Sequence, residues 1–285
     1  QIDWSDSGKG PADAVLLASD LKAGRAGAAV TWVSVLSNPI GDGAGALVEA
    51  FEQNDRIQTL LGLEEGIEAL DLRHRKLDPG QAKLLAAEIR HGRFTATVTS
   101  INCLSNPLGE GVHELIQVFE QTPRIRTLCG LAEGVEKVDW IDLRQLPDFG
   151  ELPVGKGPAD ILLLAADLKA GRAGAAVTSL LCGNNLGMVG EVDCCRMLTA
   201  ADAHAGAFKQ LCESLQSSRV TEADLSATGI GPISVGYLRD WLRGATVKPR
   251  KVDIRHAPIE REDFESLKAV AQPVGCEVLW EPLED

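Results

Sequence analysis

The sequence predicts an α/β solenoid, a single domain over residues 1–285 with parallel strands on a concave side and helices on a convex side. Three observations predict it: the chain repeats itself, each repeat carries a short alternating segment, and a stretch with helical spacing follows each such segment. Lys9–Val30 and Lys156–Val177 agree at 19 of 22 positions, at an offset of 147. A period of 68 relates Ser37-Asn38-Pro39-Ile40-Gly41 to Ser105-Asn106-Pro107-Leu108-Gly109, Phe51-Glu52-Gln53 to Phe119-Glu120-Gln121, and Gly62-Leu63 to Gly130-Leu131. Twice 68 falls 11 short of 147, so an insertion is expected over 141–151, with Ile2-Asp3-Trp4 matched to Val138-Asp139-Trp140. Repetition on this scale means stacked units that bury their apolar faces only against one another.

Within each long unit the apolar residues follow L-x-x-L-x-L-x-x-N-x-L. Val30, Val33, Val35, Asn38 and Ile40 fit it, as do Val98, Ile101, Cys103, Asn106 and Leu108. Ile67, Leu70, Leu72 and Leu77 fit with Arg75 in the Asn place; Val220, Ala223, Leu225 and Ile230 with Thr228 there; Val252, Ile254 and Ile259 with Ala257 there. Val177, Leu180, Cys182 and Asn185 fit as far as the Asn, Val135, Val138 and Trp140 begin the pattern, and Val278 and Trp280 begin a last pass. The alternation at the fourth to sixth positions marks a strand with one buried face. The parallel crossovers come from helices: Leu47, Val48 and Phe51 in Gly43–Glu52, Leu115, Ile116 and Phe119 in its copy, and Leu84, Leu85 and Ile89 all have helical spacing. Pro11 and Pro158 suit a first helical turn, and Gly24 and Gly171 suit a helix stop. After each strand the backbone turns inward. Asn38, Asn106 and Asn185, each with a donor and an acceptor, are expected to satisfy the turn from inside.

This pattern resembles the leucine-rich repeat over nearly the whole chain. The long helical segments look like its ribonuclease-inhibitor-like class, and the closely matched copies look like tandem algal-type leucine-rich repeats. One departure is the spacing: the repeats start 37, 31, 37, 42, 43 and 29 residues apart, where about 20–29 is usual for the family. The excess is expected in longer helices and convex-side loops. The chain opens inside a strand, so its N-terminus is read as truncated within a repeat, and Cys276–Asp285 as a last strand with an acidic C-terminal cap. The resemblance implies protein–protein interaction through a curved surface.

Composition narrows the partner. With 28 Lys and Arg against 41 Asp and Glu, the net charge is −13, which disfavours nucleic acid and anionic membrane. No apolar run approaches the roughly 20 residues of a membrane span. Seven cysteines without paired metal spacing read as reduced thiols in a reducing compartment, cytoplasmic or the plastid stroma. Gly8-Lys9-Gly10-Pro11 and its copy at Gly155 lack the residues of a phosphate loop and read as turns into helices. Cys194-Cys195 with His204 suggests a thiol nucleophile, but Cys194, Leu198, Ala201, Phe208, Cys212 and Leu215 share one helical stripe and are expected in the core. The sequence supports no enzyme, cofactor or metal site.

The remaining signal is the outward face of the strands. Its fifth positions are Asp3, Ser34, Asp71, Asn102, Asp139, Leu181, Asp224 and Asp253, and strands about 4.8 Å apart would stack those acids into a broken column. Arg73 and Arg255 partly offset them, His74 follows as a solvated residue, and Trp32 is a candidate aromatic anchor. The expected binding surface is therefore Trp32, Asp71, Arg73, His74, Asn102, Asp139, Asp224, Asp253 and Arg255. The expected function is a scaffold or adaptor that docks a basic protein on this face. The alternative is an accessory subunit of a larger assembly, packed through its convex helices or its N-terminal edge.

Overall fold

A computed structural model describes residues 1–24, 29–93, 95–130, 140–142 (backbone only), 157–172 and 177–281. Strands and helices alternate along the chain, which divides into two compact units, 1–130 and 131–285.

The first unit runs β1 (Ile2–Asp3), α1 (Pro11–Ala23), β2 (Val33–Ser34), a 3-10 turn (Gly41–Gly43), α2 (Ala44–Glu52), β3 (Ala69–Asp71), α3 (Pro79–His91), β4 (Ser100–Asn102) and α4 (Gly111–Gln121). Strand β1 pairs parallel with β2, and β3 with β4, with Asp3 opposite Ser34 and Asp71 opposite Asn102. The helices pack in order, α1 on α2, α2 on α3 and α3 on α4. Their ends follow the local chemistry of the sequence. Pro11 and Pro79 open α1 and α3 at the first turn, where no N–H is needed, and Gly24 and Gly92 close them in the left-handed conformation. Asp78 caps α3 by accepting the Gln81 N–H at 2.8 Å, and its other oxygen accepts the Gly41 N–H at 2.6 Å, tying the helix to the turn before α2. Val33, Ile40, Leu47, Phe51, Leu77, Leu84 and Leu85 are fully enclosed.

The helices meet closely at their N-termini. A Cβ on Gly111 would fall on the Pro79 carbonyl oxygen, as one on Gly43 would on that of Pro11. Gly111→Ala should therefore force α4 off α3 and cost about 1–3 kcal/mol. The check is a lowered urea midpoint; an unchanged midpoint would show that the contact yields freely.

Two segments add to this unit beyond the expected strands. Trp32 bridges Thr59 and Ser100 bridges Thr127, so Thr59–Leu61 lies beside β2 and Thr127–Cys129 beside β4. Glu88, buried on α3, holds the first of them. Its Oε1 accepts the N–H groups of Leu60 and Leu61 at 2.6 and 2.8 Å, and the Thr59 hydroxyl lies about 3 Å from both carboxylate oxygens. The copies of Glu88 on the sister helices are Asp20 and Asp167; Asp20 is exposed on α1, whose neighbouring Leu16 is 66% exposed.

The second unit runs β5 (Trp140–Asp142), α5 (Pro158–Ala170), β6 (Ser179–Leu181), β7 (Glu191–Val192), β8 (Leu198–Ala200), α6 (Ala205–Ser217), β9 (Glu222–Asp224), α7 (Pro232–Gly244), β10 (Lys251–Asp253), α8 (Arg261–Val274) and β11 (Glu277–Leu279). Its main sheet is five-stranded, in the order β5-β6-β9-β10-β11, and parallel throughout. Helix α5 packs on α6, α6 on α7 and α7 on α8. Pro158 and Gly171 bound α5 as Pro11 and Gly24 bound α1. Leu163, Phe208, Leu211 and Trp241 fill the core, each at most 1% exposed.

Two expectations are corrected here, the frame of one strand and the helical stripe through Cys194. The first strand of this unit comes three residues later than expected, because pairing with β6 sets Ile141 opposite Leu180 and Asp142 opposite Leu181. The expected insertion over 141–151 thus begins on two strand residues, and the rest of it lies outside the described residues. The expected helical stripe through Cys194, Leu198 and Ala201 is an antiparallel hairpin, β7 with β8. Helix α6 begins only at Ala205, and Phe208, Cys212 and Leu215 form its buried stripe. Of the expected acidic cap, β11 and the residues up to 281 are described, and 282–285 lie outside the described residues. No helix among the described residues is long and apolar enough to cross a membrane, and all seven cysteines are free.

Candidate functional site

Five strands, β1, β3, β4, β9 and β10, end on the same backbone device. The residue at the fifth position accepts the N–H two residues on: Asp3 from Ser5, Asp71 from Arg73, Asn102 from Leu104, Asp224 from Ser226 and Asp253 from Arg255, at 2.9–3.2 Å. These are Asx turns, which a short acceptor side chain makes and an aliphatic one cannot. One residue further on, the chain enters the left-handed region, at Asp6, Ser37, His74, Ser105, Asn184, Ala227 and His256, with φ from 49° to 63°. His74 is exposed there and serves the turn, since His is among the residues that tolerate this conformation.

The next position carries the asparagines. Asn106 donates to the carbonyls of Cys103 and Leu104 in its own turn, but also to the Leu72 carbonyl at 2.8 Å, while its oxygen accepts the Leu77 N–H at 3.0 Å. Asn38 likewise serves Val35 and Leu36, and reaches back to the Trp4 carbonyl and to the N–H groups of Ser7 and Lys9. Asn185 donates to the Cys182 and Gly183 carbonyls. The reach to the preceding turn explains how Arg75 can occupy the Asn place and stay exposed, because Asn106 supplies the inner bonds of that turn.

The outward face built on these turns differs from a plain acid column. Asp71 and Arg73 form a forked pair, Nη2 to Oδ2 at 2.7 Å and Nε to Oδ1 at 3.0 Å, with both side chains about half exposed. The guanidinium holds the Asp71 carboxyl below its ordinary range, and the carboxylate raises Arg73 in turn. Asp253 and Arg255 repeat the fork at 2.6 and 3.0 Å, and Asp253 raises Arg255. Asp253 is buried rather than open to solvent, with 7% of its side chain exposed. Asp224 stands opposite Asp253 on the neighbouring strand and is bonded to the Ser226 hydroxyl at 2.6 Å instead of an arginine. The third positions of the same strands alternate in sign, with Lys251 opposite both Glu222 and Glu277.

The remaining expected residues fall in different surroundings. Trp32 is half-buried, and its ring covers Gly62, where a Cβ would meet Cζ2 at 2.9 Å. That places it in the wall of the Thr59–Leu61 segment. Ser34 is 2% exposed under the same glycine, and Asn102 lies under Gly130. Asp139 lies outside the described residues, and the backbone register gives its place in the row to Asp142. A signal for this was in the sequence: Ile141-Asp142-Leu143-Arg144 repeats Leu70-Asp71-Leu72-Arg73, and Ile2-Asp3 matches Ile141-Asp142. Register therefore brings Asp71 beside Asn102 in one unit, and Asp224 beside Asp253 in the other. Among the described residues no group of three or more His, Cys, Asp or Glu side chains could hold a metal ion.

Chemically, these turns present forked Asp–Arg pairs, unpaired carboxylates and alternating charges, which suit recognition of a charged surface. No protein-family model matches the chain, and no curated protein matches it.

Proposed function

We propose that this chain is a solenoid of the leucine-rich-repeat type that serves as a protein-interaction scaffold and docks a basic protein segment along its strand face. The observation that carries this reading is the in-register row of outward residues, in which carboxylates outnumber cations. Around β9 to β11, Glu222, Asp224, Asp253 and Glu277 face Lys251 and Arg255. A basic partner gains charge-assisted bonds to the unpaired Asp224 and to the outer edges of the Asp–Arg forks, while the forks fix where its own cations sit. The fold alternation and the parallel sheets support the solenoid reading, as do the asparagines that reach from one turn into the one before.

The test separates the strand face from general acidity. A partner captured on the immobilised chain should release progressively between about 50 and about 500 mM salt. Asp71→Asn with Asp224→Asn keeps the side-chain oxygens that make the Asx turns and removes two charges, so binding should weaken several-fold with the thermal midpoint nearly unchanged. Glu213→Gln with Glu262→Gln removes two charges from helices and should leave binding as it was. Salt-independent capture, or equal loss from both pairs of substitutions, would sink the strand-face reading.

A further inference from the structure

Two of the seven cysteines differ from the rest. Cys103, Cys129, Cys182, Cys212 and Cys276 are buried, whereas Cys194 and Cys195 are both exposed at the tip of the β7–β8 hairpin. Burial pushes the Cys212 thiol well above its ordinary range and that of Cys276 up to about 11, which withholds the thiolate at those sites. The hairpin tip is fixed in shape. Asp193 Oδ1 accepts the N–H groups of Cys195 and Met197 at 2.9 and 2.8 Å. The Asp193 N–H donates to the Met197 carbonyl, the Arg196 N–H donates to the Asp193 carbonyl, and Arg196 takes the left-handed conformation with φ 61°. This frame holds the two sulfurs 3.9 Å apart.

That separation discriminates between two fates of a thiol pair. A disulfide needs sulfurs about 2.05 Å apart and usually Cα atoms at least about 4.4 Å apart, whereas residues adjacent across a trans peptide have theirs at about 3.8 Å. A centre bound to two thiolates at about 2.3 Å with a tetrahedral angle between them spaces the sulfurs about 3.8 Å apart. The turn is thus shaped for a bridging atom more than for a sulfur–sulfur bond. Soft thiolate pairs select soft, thiophilic centres. With no third His, Cys, Asp or Glu joining the pair among the described residues, the other positions on such a centre belong to its own substituents or to water.

We infer that Cys194 and Cys195 form a two-thiolate chelating site for a soft, thiophilic centre, such as a trivalent arsenical or a d10 divalent cation. With an arsenoxide the step is balanced without redox change: two S–H bonds and the arsenic–oxygen bond break, two As–S bonds form, and the oxygen leaves with both protons as water. The site is separate from the strand face and does not depend on the scaffold reading.

The test treats the native, reduced chain with one equivalent of phenylarsine oxide, and separately with cadmium ion. The expected arsenical product is a single adduct by intact mass. It should survive excess monothiol, be removed by a dithiol, and silence the two fast-reacting thiols of the chain toward a chromogenic disulfide reagent. Cadmium should give a one-to-one ultraviolet thiolate-to-metal band. Cys194→Ser and Cys195→Ser should each lower apparent affinity for both probes by at least about a hundredfold, because chelation becomes single-point attachment. Circular dichroism of both variants should match the parent, since the side chains lie at an exposed tip. Two adducts per chain, an adduct washed off by monothiol, or single variants that bind as well as the parent would each overturn the proposal.

Discussion

Replacing Glu88 by alanine should destabilise the first unit by about 3 kcal/mol and remove a distinctive pH slope. The Leu60 N–H has Glu88 Oε1 as its acceptor, and the Leu61 N–H is divided between that oxygen and the Thr59 hydroxyl oxygen. Truncation leaves at least one buried donor without a partner, at about 1–3 kcal/mol, and a void where the side chain stood. Burial raises the Glu88 carboxyl from 4.5 to about 7, against the opposing pull of the Leu60 and Leu61 N–H groups, the Thr59 hydroxyl and the Arg93 charge. Between those two values the folded chain holds a proton that the unfolded chain has released. This group's contribution is therefore greatest below about pH 4.5, falls as pH rises to about 7, and is flat beyond, with a total change on the order of 3 kcal/mol. Glu88→Gln keeps an acceptor oxygen for the two N–H groups and cannot ionise, so it should fold well and lose the slope. Urea melts of the three proteins at pH 5, 6, 7 and 8 check this; an unchanged slope in Glu88→Gln would exclude Glu88 as its source.

Asn106→Ala is expected to cost about 3 kcal/mol or more, and Asn106→Asp at least as much despite its near-identical shape. Alanine strands the Leu77 N–H and the Leu72 carbonyl and removes a donor from the Cys103 carbonyl, all inside the unit. Aspartate restores the acceptor for Leu77 but turns an oxygen toward the three carbonyls that Asn106 now serves as donor, so a buried carboxylate would face like partial charges. Its penalty should grow as pH rises through the carboxyl's titration, whereas that of alanine should not. Hydrogen exchange adds a spatial check: the Leu77 amide should lose protection in Asn106→Ala, which leaves it no acceptor, if Asn106 links its own turn to the preceding one. Loss confined to Cys103 and Leu104 would reduce its role to its own turn.

Much of the fold was legible because its causes are local. The apolar alternation at Val33–Val35 and Ile101–Cys103 selects a buried face, and Pro11, Pro158, Gly24 and Gly171 set helix ends through their own backbone restrictions. Asn38, Asn106 and Asn185 could be singled out because a turn beneath an apolar ridge needs a donor and an acceptor together. The acids at the fifth positions were legible as a row, but their first task was not, since an Asx turn depends on where the strand stops. The forks at Asp71–Arg73 and Asp253–Arg255 were likewise visible only as nearby opposite charges.

By itself, then, the sequence determined the alternation of strands and helices, the helix ends, the buried faces and the turn asparagines, all of which follow from residues within a few positions of one another. Only the tertiary structure decided which frame β5 takes, since Val138–Trp140 and Ile141–Leu143 both alternate in the sequence and pairing with β6 selects the second. It also decided that Thr59–Leu61 and Thr127–Cys129 join the strands, that Glu88 is buried while its copy Asp20 is exposed, and that Cys194 and Cys195 stand at a hairpin tip. In each of these the outcome is set by neighbours distant in the chain, whose hydrogen-bonding groups and apolar surface no local periodicity encodes.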